Sequence, residues 1–291
     1  MTQPSRVSRR RLPAPTDRLT VRRGLRVSPL CVGIVDDPRT VAAAFEAGIN
    51  FFFLTADMHW PLYDATRRGL RQLFRARPAV RDEVVVAAAC YPTQPDFNTT
   101  PFEEVVNAVP GLDRVDVALM GGAYGGDFMA RYPIYARHRT SRHVGIRAIG
   151  ATFHDREAVA PAVNHGLLDV AFTRYNSAHP GAREDLFPLL DRRAGTPLFN
   201  FTNSSGYVEP ARRAELGVPA DLWQPAPEDC HRFALSRPEL AGLLCAPATP
   251  RRLHRIIDAL ARGPLSTDEE HILINLARLD AGEAELARDD D

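Results

Sequence analysis

The sequence predicts an α/β protein: a single (β/α)8 TIM barrel with a short N-terminal β-hairpin. Three observations predict it. Eight short runs are apolar almost throughout, as strands buried on both faces should be. Longer amphipathic stretches alternate with them, which is the pattern of βα units. No Gly-rich phosphate turn follows the first run, which argues against an open, doubly wound sheet.

The hairpin comes first, over Leu19–Val27, turning near Arg23-Gly24. The barrel strands are expected at Leu30–Val35, Asn50–Ala56, Glu83–Cys90, Asp116–Gly121, Arg147–Thr152, Asp169–Tyr175, Pro197–Thr202 and Gly242–Ala246. A helix over Asp37–Gly48 has an acidic start, a first-turn proline and a closing glycine. Tyr63–Arg77 is amphipathic, and Pro101–Val109 precedes the fourth strand. Arg156–Gly166 starts after Asp155 and ends in glycine, and Thr249–Ala261 opens with Thr-Pro. Residues 1–16 read as a polar, disordered tail, 17–286 as the barrel and 287–291 as an acidic tail.

The chain has 291 residues, 45% hydrophobic and 25% charged, with zero formal net charge. Such a chain can bury a sizeable core without disulfide staples. Neutral charge with scattered arginines argues against nucleic-acid partners, and no apolar run is long enough to span a membrane. The expected partner is a small-molecule substrate; oligomeric state is left open. The basic N-terminus has no apolar stretch behind it, so it does not read as a secretory signal. Cys31, Cys90, Cys230 and Cys245 form no close pair, which suits a cytoplasmic protein. Every one of the basic residues counted in the 36 is arginine; the chain has no lysine. With abundant Ala and Pro, this usage suits a GC-rich bacterial genome, which bears on source and not on function; a biosynthetic role in bacterial secondary metabolism is expected only with the repurposed-enzyme reading below.

In such barrels the C-terminal strand ends carry the chemistry. Those ends offer Asp57, His59, Tyr63, Cys90, Tyr91, His154, Asp155, Arg174, Tyr175, Asn176, His179, Asn200, Asn203 and Ser204. His59 is the expected acid or base, because imidazole titrates near neutral pH. Asp57 stands in D-x-H spacing to fix its tautomer, and Tyr63 is a displaced phenol; these three are the catalytic candidates. The alternative for His59 is packing beside Trp60. Trp60, Cys90, Tyr91, His154, Arg174, Asn176 and His179 are candidate substrate contacts. Arg174 either clamps a carboxylate or phosphate or pairs with Glu184 or Asp185. Asn203, Ser204, Arg251 and Arg252 are candidate cofactor contacts; the alternative for the two arginines is a solvated helix face. The histidines, Asp57 and Cys90 lack a tight ligand spacing, so no metal is expected.

Several stretches together resemble the aldo-keto reductases over residues 17–262. They are RGLRVSPLCVG, FEAGINFFFLTADM, EVVVAAA, RVDVALM, IRAIGATFHDREA, LLDVAFTRYNSAHPGAREDLFP and ALSRPELAGLLCAPATPRRL. The resemblance implies NADP(H) as cofactor and an Asp, Tyr, Lys and His tetrad at the strand ends. On this chain those positions are Leu54, His59, Ala89 and Gly121. The nicotinamide clamp would fall on Thr152-Phe153 and Phe172, and the adenine contacts on Arg255-Ile256. All depart from the family pattern. The resemblance therefore implies a repurposed enzyme doing dehydration, cyclisation or isomerisation by acid–base chemistry. The alternatives are an NADPH-dependent oxidoreductase with His59 as proton donor, and a non-catalytic pseudoenzyme or partner protein. Phe153 and Phe172 are expected to line a dry pocket that keeps His59 neutral.

Overall fold

Aromatic and β-branched residues hydrogen-bond into eight parallel strands that close on themselves. The computed structural model describes residues 10–93, 100–141, 143–191 and 193–283. The barrel strands are β3 (Leu30–Val32), β4 (Phe51–Thr55), β5 (Val85–Cys90), β6 (Val117–Ala123), β7 (Ala148–Phe153), β8 (Val170–Arg174), β9 (Leu198–Phe201) and β10 (Gly242–Cys245). They neighbour one another in chain order, and β10 pairs with β3 to complete the ring. Before them, β1 (Leu19–Thr20) and β2 (Arg26–Val27) form the expected antiparallel hairpin. The (β/α)8 expectation holds.

The helices are α1 (Arg39–Glu46), α2 (Asp64–Ala76), α3 (Thr100–Ala108), α4 (Gly125–Ser141), α5 (Val159–Asn164), α6 (Ala182–Asp185), α7 (Pro210–Glu215), α8 (Asp229–Leu235), α9 (Pro250–Ala261) and α10 (Thr267–Asp280). Thr249 caps α9 by accepting from the Arg252 amide at 3.3 Å. The sequence reading did not include α4, whose internal Pro133 reads as a break. It also passed over α10, which opens with a full Ser266/Glu269 capping box. Of the expected tail, residues 1–9 lie outside the described residues, as does the acidic 287–291 stretch. Residues 10–16 instead lie against the barrel, with Leu12 buried in the core.

Strand alternation decides what fills the barrel. Phe51 and Phe53 of β4, Phe172 of β8 and Phe199 of β9 all point inward. Their ring centroids lie 5.2 Å apart for Phe172–Phe199, 5.5 Å for Phe51–Phe199 and 5.7 Å for Phe53–Phe172. Small residues opposite make room for this plug. A Cβ on Gly242 would meet the Phe199 ring at 2.4 Å. Ala87 and Ala89, register partners of Phe53 and Thr55, face the same interior.

Arginine does the clamping around this core. The Arg131 side chain, fully buried on α4, donates to Cys90 O at 2.8 Å and Gly121 O at 3.0 Å. It thereby ties the ends of β5 and β6 together, with Asp127 at 3.2 Å as its counter-charge. At the other end of the barrel, buried Asp116 accepts from the Val86 amide and from Arg81. Helix α10 is held through Glu270, which accepts from Arg183 at 2.8 Å and Arg237 at 3.0 Å.

Removing a ring from the plug leaves a cavity that its rigid neighbours cannot fill. Phe172→Ala should therefore cost roughly 3–5 kcal/mol in denaturant unfolding. A loss below about 1 kcal/mol would mean that the barrel centre is not packed as described.

Candidate functional site

One pleat above the plug, the same alternation lifts a second set of side chains into the mouth. Phe172 faces in, so Arg174 does too; Phe199 faces in, so Phe201 does too. Thr152 pairs in register with Phe172, which places His154 on the inner face two residues on. Ala89 faces in, which places Tyr91 there. Asp57, His59 and Trp60 arrive on the loop after β4. Arg67 of α2 steadies that loop, stacking 3.7 Å from the Trp60 ring centroid and donating to Trp60 O at 2.6 Å.

These residues meet. The Tyr91 ring lies over Gly121, where an added Cβ would sit 2.8 Å from the ring. Tyr91 thus occupies the space a side chain at position 121 would need. The His59 ring meets Tyr91 edge to face, 4.7 Å between centroids. Across Gly122, His154 packs edge-on against Phe201 at 5.3 Å and stacks with Tyr124 at 6.5 Å. A Cβ at Gly122 would lie 3.4 Å from Tyr91 and 4.0 Å from His154, so the two flank one point.

Their environments push them in opposite directions. Burial raises the Tyr91 phenol pKa, and the charge of Asp57 adds to this; a hydrogen bond with Thr152 works the other way. Packing around the His154 ring lowers its pKa, helped by the positive charge of Arg174 and by His59. The phenol therefore stays protonated and the imidazole stays neutral near neutral pH.

Other expected residues sit differently. Asp57 accepts from the backbone N–H of Tyr91, so it positions Tyr91 and not the His59 tautomer. Tyr63 is 7% exposed, packs 5.9 Å from Phe53 and has its phenol pKa raised by burial. Cys90 is fully buried, and burial with the nearby Asp57 pushes its thiol up to about 12, leaving no thiolate. Asn176 is fully buried and holds the loop, donating to Thr202 O at 2.9 Å and accepting from the His179 amide. His179 lies exposed nearby, its pKa lowered by burial and then by Arg174 and Arg156. Phe153 and Phe172 do not line a pocket: both are fully buried, Phe172 in the plug and Phe153 against Phe128 of α4. Asp155 and Tyr175 are likewise structural. Asp155 accepts from the amides of Gly125 and Glu157, and Tyr175 OH from Arg183 at 2.7 Å.

Among the described arginines that are not exposed, Arg174 is the one whose side chain makes no hydrogen bond or ion pair. Its Nε is buried and has no hydrogen-bond partner. The anticipated partner Asp185 is taken by Arg156, and no ion pair to Arg174 occurs among the described residues. Phe201 and Tyr124 were not anticipated. Phe201 follows from alternation after Phe199, but Tyr124 does not, because the ladder shifts register between Met120 and Ala123.

Asn203, Ser204 and Arg252 line a groove of about 430 Å³ beside the mouth, with Glu228 and His231. Asn203 is buried and committed, accepting from Asn200 and donating to Leu244 O at 2.7 Å. Glu228, 5% exposed, pairs with Arg252 at 3.3 Å and Arg255 at 2.9 Å. Arg251 lies exposed on the helix face. The residues present do not fit NADP(H). A cofactor phosphate in the groove would face a buried carboxylate, and the groove arginine Arg252 is already paired with it, as is Arg255. Thr152 Oγ already accepts from the Gly122 amide at 2.8 Å, and Phe172 offers no hydrogen bond to a nicotinamide amide. Among the described residues, no group of three or more His, Cys, Asp or Glu is arranged to hold a metal, and no helix is long and apolar enough to cross a membrane. All four cysteines are buried and free.

No family model matches the sequence, and no curated protein matches it. Solved structures do match. One is the aldo-keto reductase AKR11C1 from Bacillus halodurans in its holo form, at 16% identity with a TM-score of 0.65. The match covers 95% of this chain and 100% of that one. The chain has the barrel fold of that aldo-keto reductase.

His231 gives the groove a measurable property. Burial lowers its pKa from 6.5 to about 4. Unfolded, the ring takes up a proton near pH 6.5; folded, only near pH 4. Between these values the unfolded chain binds more protons, so stability falls as pH falls, by up to roughly 3 kcal/mol from this group. Denaturant unfolding across that range should show a smaller loss in His231→Gln than in the parent. Equal losses would contradict the burial of this ring.

Proposed function

We propose that the barrel mouth is an acid–base site acting on a small molecule, in an enzyme that has kept the reductase fold and changed the reaction. The observation that carries this reading is the opposed shift of Tyr91 and His154 on either side of Gly122. Titratable groups whose environments push them apart mark an acid and a base. Tyr91, still protonated at neutral pH, is suited to donate. His154, neutral there, is suited to accept. His59, in contact with Tyr91, is suited to relay or supply a proton from the solvent side. The chemistry this supports is removal of a proton from one atom and delivery to another: isomerisation, dehydration or cyclisation. Buried, unpaired thiols support a reducing, cytoplasmic setting.

The alternatives are less well supported. Reduction through NADPH would need a groove whose arginines were free, and here Glu228 holds them. A scaffold without turnover would have no need for an unpaired arginine beside two shifted groups.

The test uses protein in deuterium oxide with a panel of small carbonyl and hydroxy acids. Proton-transfer chemistry should appear as solvent deuterium entering a carbon position, or as loss of water, by mass spectrometry. His154→Gln, Tyr91→Phe and His59→Gln should each slow it roughly 10²–10⁴-fold while folding normally. NADPH should produce no saturable change in fluorescence. Full activity in all three variants, or NADPH-dependent reduction at ordinary rates, would overturn the proposal.

A further inference from the structure

The mouth contains an arginine that forms no ion pair among the described residues. Arg174 ends β8 on the inner face, its Nε buried and without a partner. Among the described residues no carboxylate forms an ion pair with it, although Asp57 Oδ1 is buried without a partner of its own. Asp185 belongs to Arg156, Asp155 caps the turns at Gly125 and Glu157, and Asp57 holds the Tyr91 amide. Burying an arginine with an unmet donor costs stability, and such a cost is retained where a ligand supplies the missing acceptor.

We infer that Arg174 is the recognition residue for a carboxylate on the substrate, held in the mouth beside His154 and against the Phe201 face. This deepens the acid–base reading and rests on the same site. Three features narrow the ligand. A guanidinium fork matches the two oxygens of a carboxylate. The charge count favours a carboxylate over a phosphate. His154 and His179 are both held towards the neutral form, and Arg156 beside them is matched by Asp185, so Arg174 is the positive charge there without an ion pair, while the Glu283 carboxylate acts on His179. One positive charge balances a carboxylate, whereas a phosphate ester carries more than one negative charge near pH 7. Finally, the walls at this point are rings: Tyr91, Tyr124 and Phe201. They suit a flat, unsaturated body attached to the carboxylate. The carboxylate would be anchored while the neighbouring carbon lies towards His154 and Tyr91, where proton transfer takes place.

Binding can be read without turnover, which separates this inference from the proposed reaction. The probes are benzoate, its neutral counterpart benzamide, and inorganic phosphate, titrated into the full chain by NMR. Benzoate should bind saturably, shifting the ring signals of His154 and Phe201. Benzamide and phosphate should bind far more weakly at these signals. Arg174→Met should weaken benzoate roughly 10- to 100-fold, the loss expected for a charged hydrogen bond. Arg174→Lys keeps the charge without the fork and should fall between. The unfolding midpoint of each variant confirms that it is folded. His154→Gln, expected to lose turnover, should still bind benzoate; if it binds but its activity is intact, the reaction is wrong and the anchor stands. Three results would overturn the anchor: no saturable benzoate binding, equal binding in Arg174→Met, or phosphate bound more tightly than benzoate.

Discussion

The packing of four phenylalanine rings in the barrel centre constrains everything above it. Phe51, Phe53, Phe172 and Phe199 fill the interior to the level where strand ends begin. Protein interiors tolerate neither overlap nor voids, so the facing positions must be small. Ala87, Ala89 and Gly242 meet that demand. Ala89 and Gly121 are also positions where the reductase resemblance places a lysine and a histidine. Their small size here follows from what surrounds them: the plug below Ala89 and the Tyr91 ring over Gly121. At position 121 the Tyr91 ring fills the space that a side chain would need.

That packing sets the electrostatics. A lysine beside the phenol would favour its ionised form. With no lysine in the chain, burial and Asp57 act unopposed except by Thr152, and Tyr91 keeps its proton. Arginine cannot take over lysine's part here, since Arg131 is spent bridging Cys90 O and Gly121 O from behind the strands. What remains in the mouth is a protonated phenol, a neutral imidazole and a free guanidinium. The proposed proton transfer on an anion rests on this set.

The fold was legible because barrel strands are the easiest of signals: continuous apolar runs at regular spacing. All eight strands fall on or within two residues of the runs read from sequence. Helix α4 was missed because Pro133 breaks the local pattern, and tertiary packing of Arg131 and Tyr135 overrides it. At the mouth, the sequence places the candidate residues on the strand ends and does not rank them. His154 reads from sequence as a substrate contact and not as a base, because its lowered pKa depends on burial against Phe201 and Tyr124 and on Arg174, which come from other strands or loops. Asn176, Asn203 and Cys90 looked like site groups because they sit near strand ends, yet burial turns each to holding the framework. The pairing of Asp185 with Arg156, which frees Arg174, joins residues 29 apart and has no local signature.

Arg174 and His154 stand together at the barrel mouth, and an NMR pH titration of the His154 ring measures their coupling directly. Arg174 lowers the His154 pKa in the free protein. Removing the charge with Arg174→Met should raise the titration midpoint, and binding a carboxylate at the mouth should raise it further in the parent than in the variant. A midpoint unchanged by both would place the two side chains in separate environments and contradict the account.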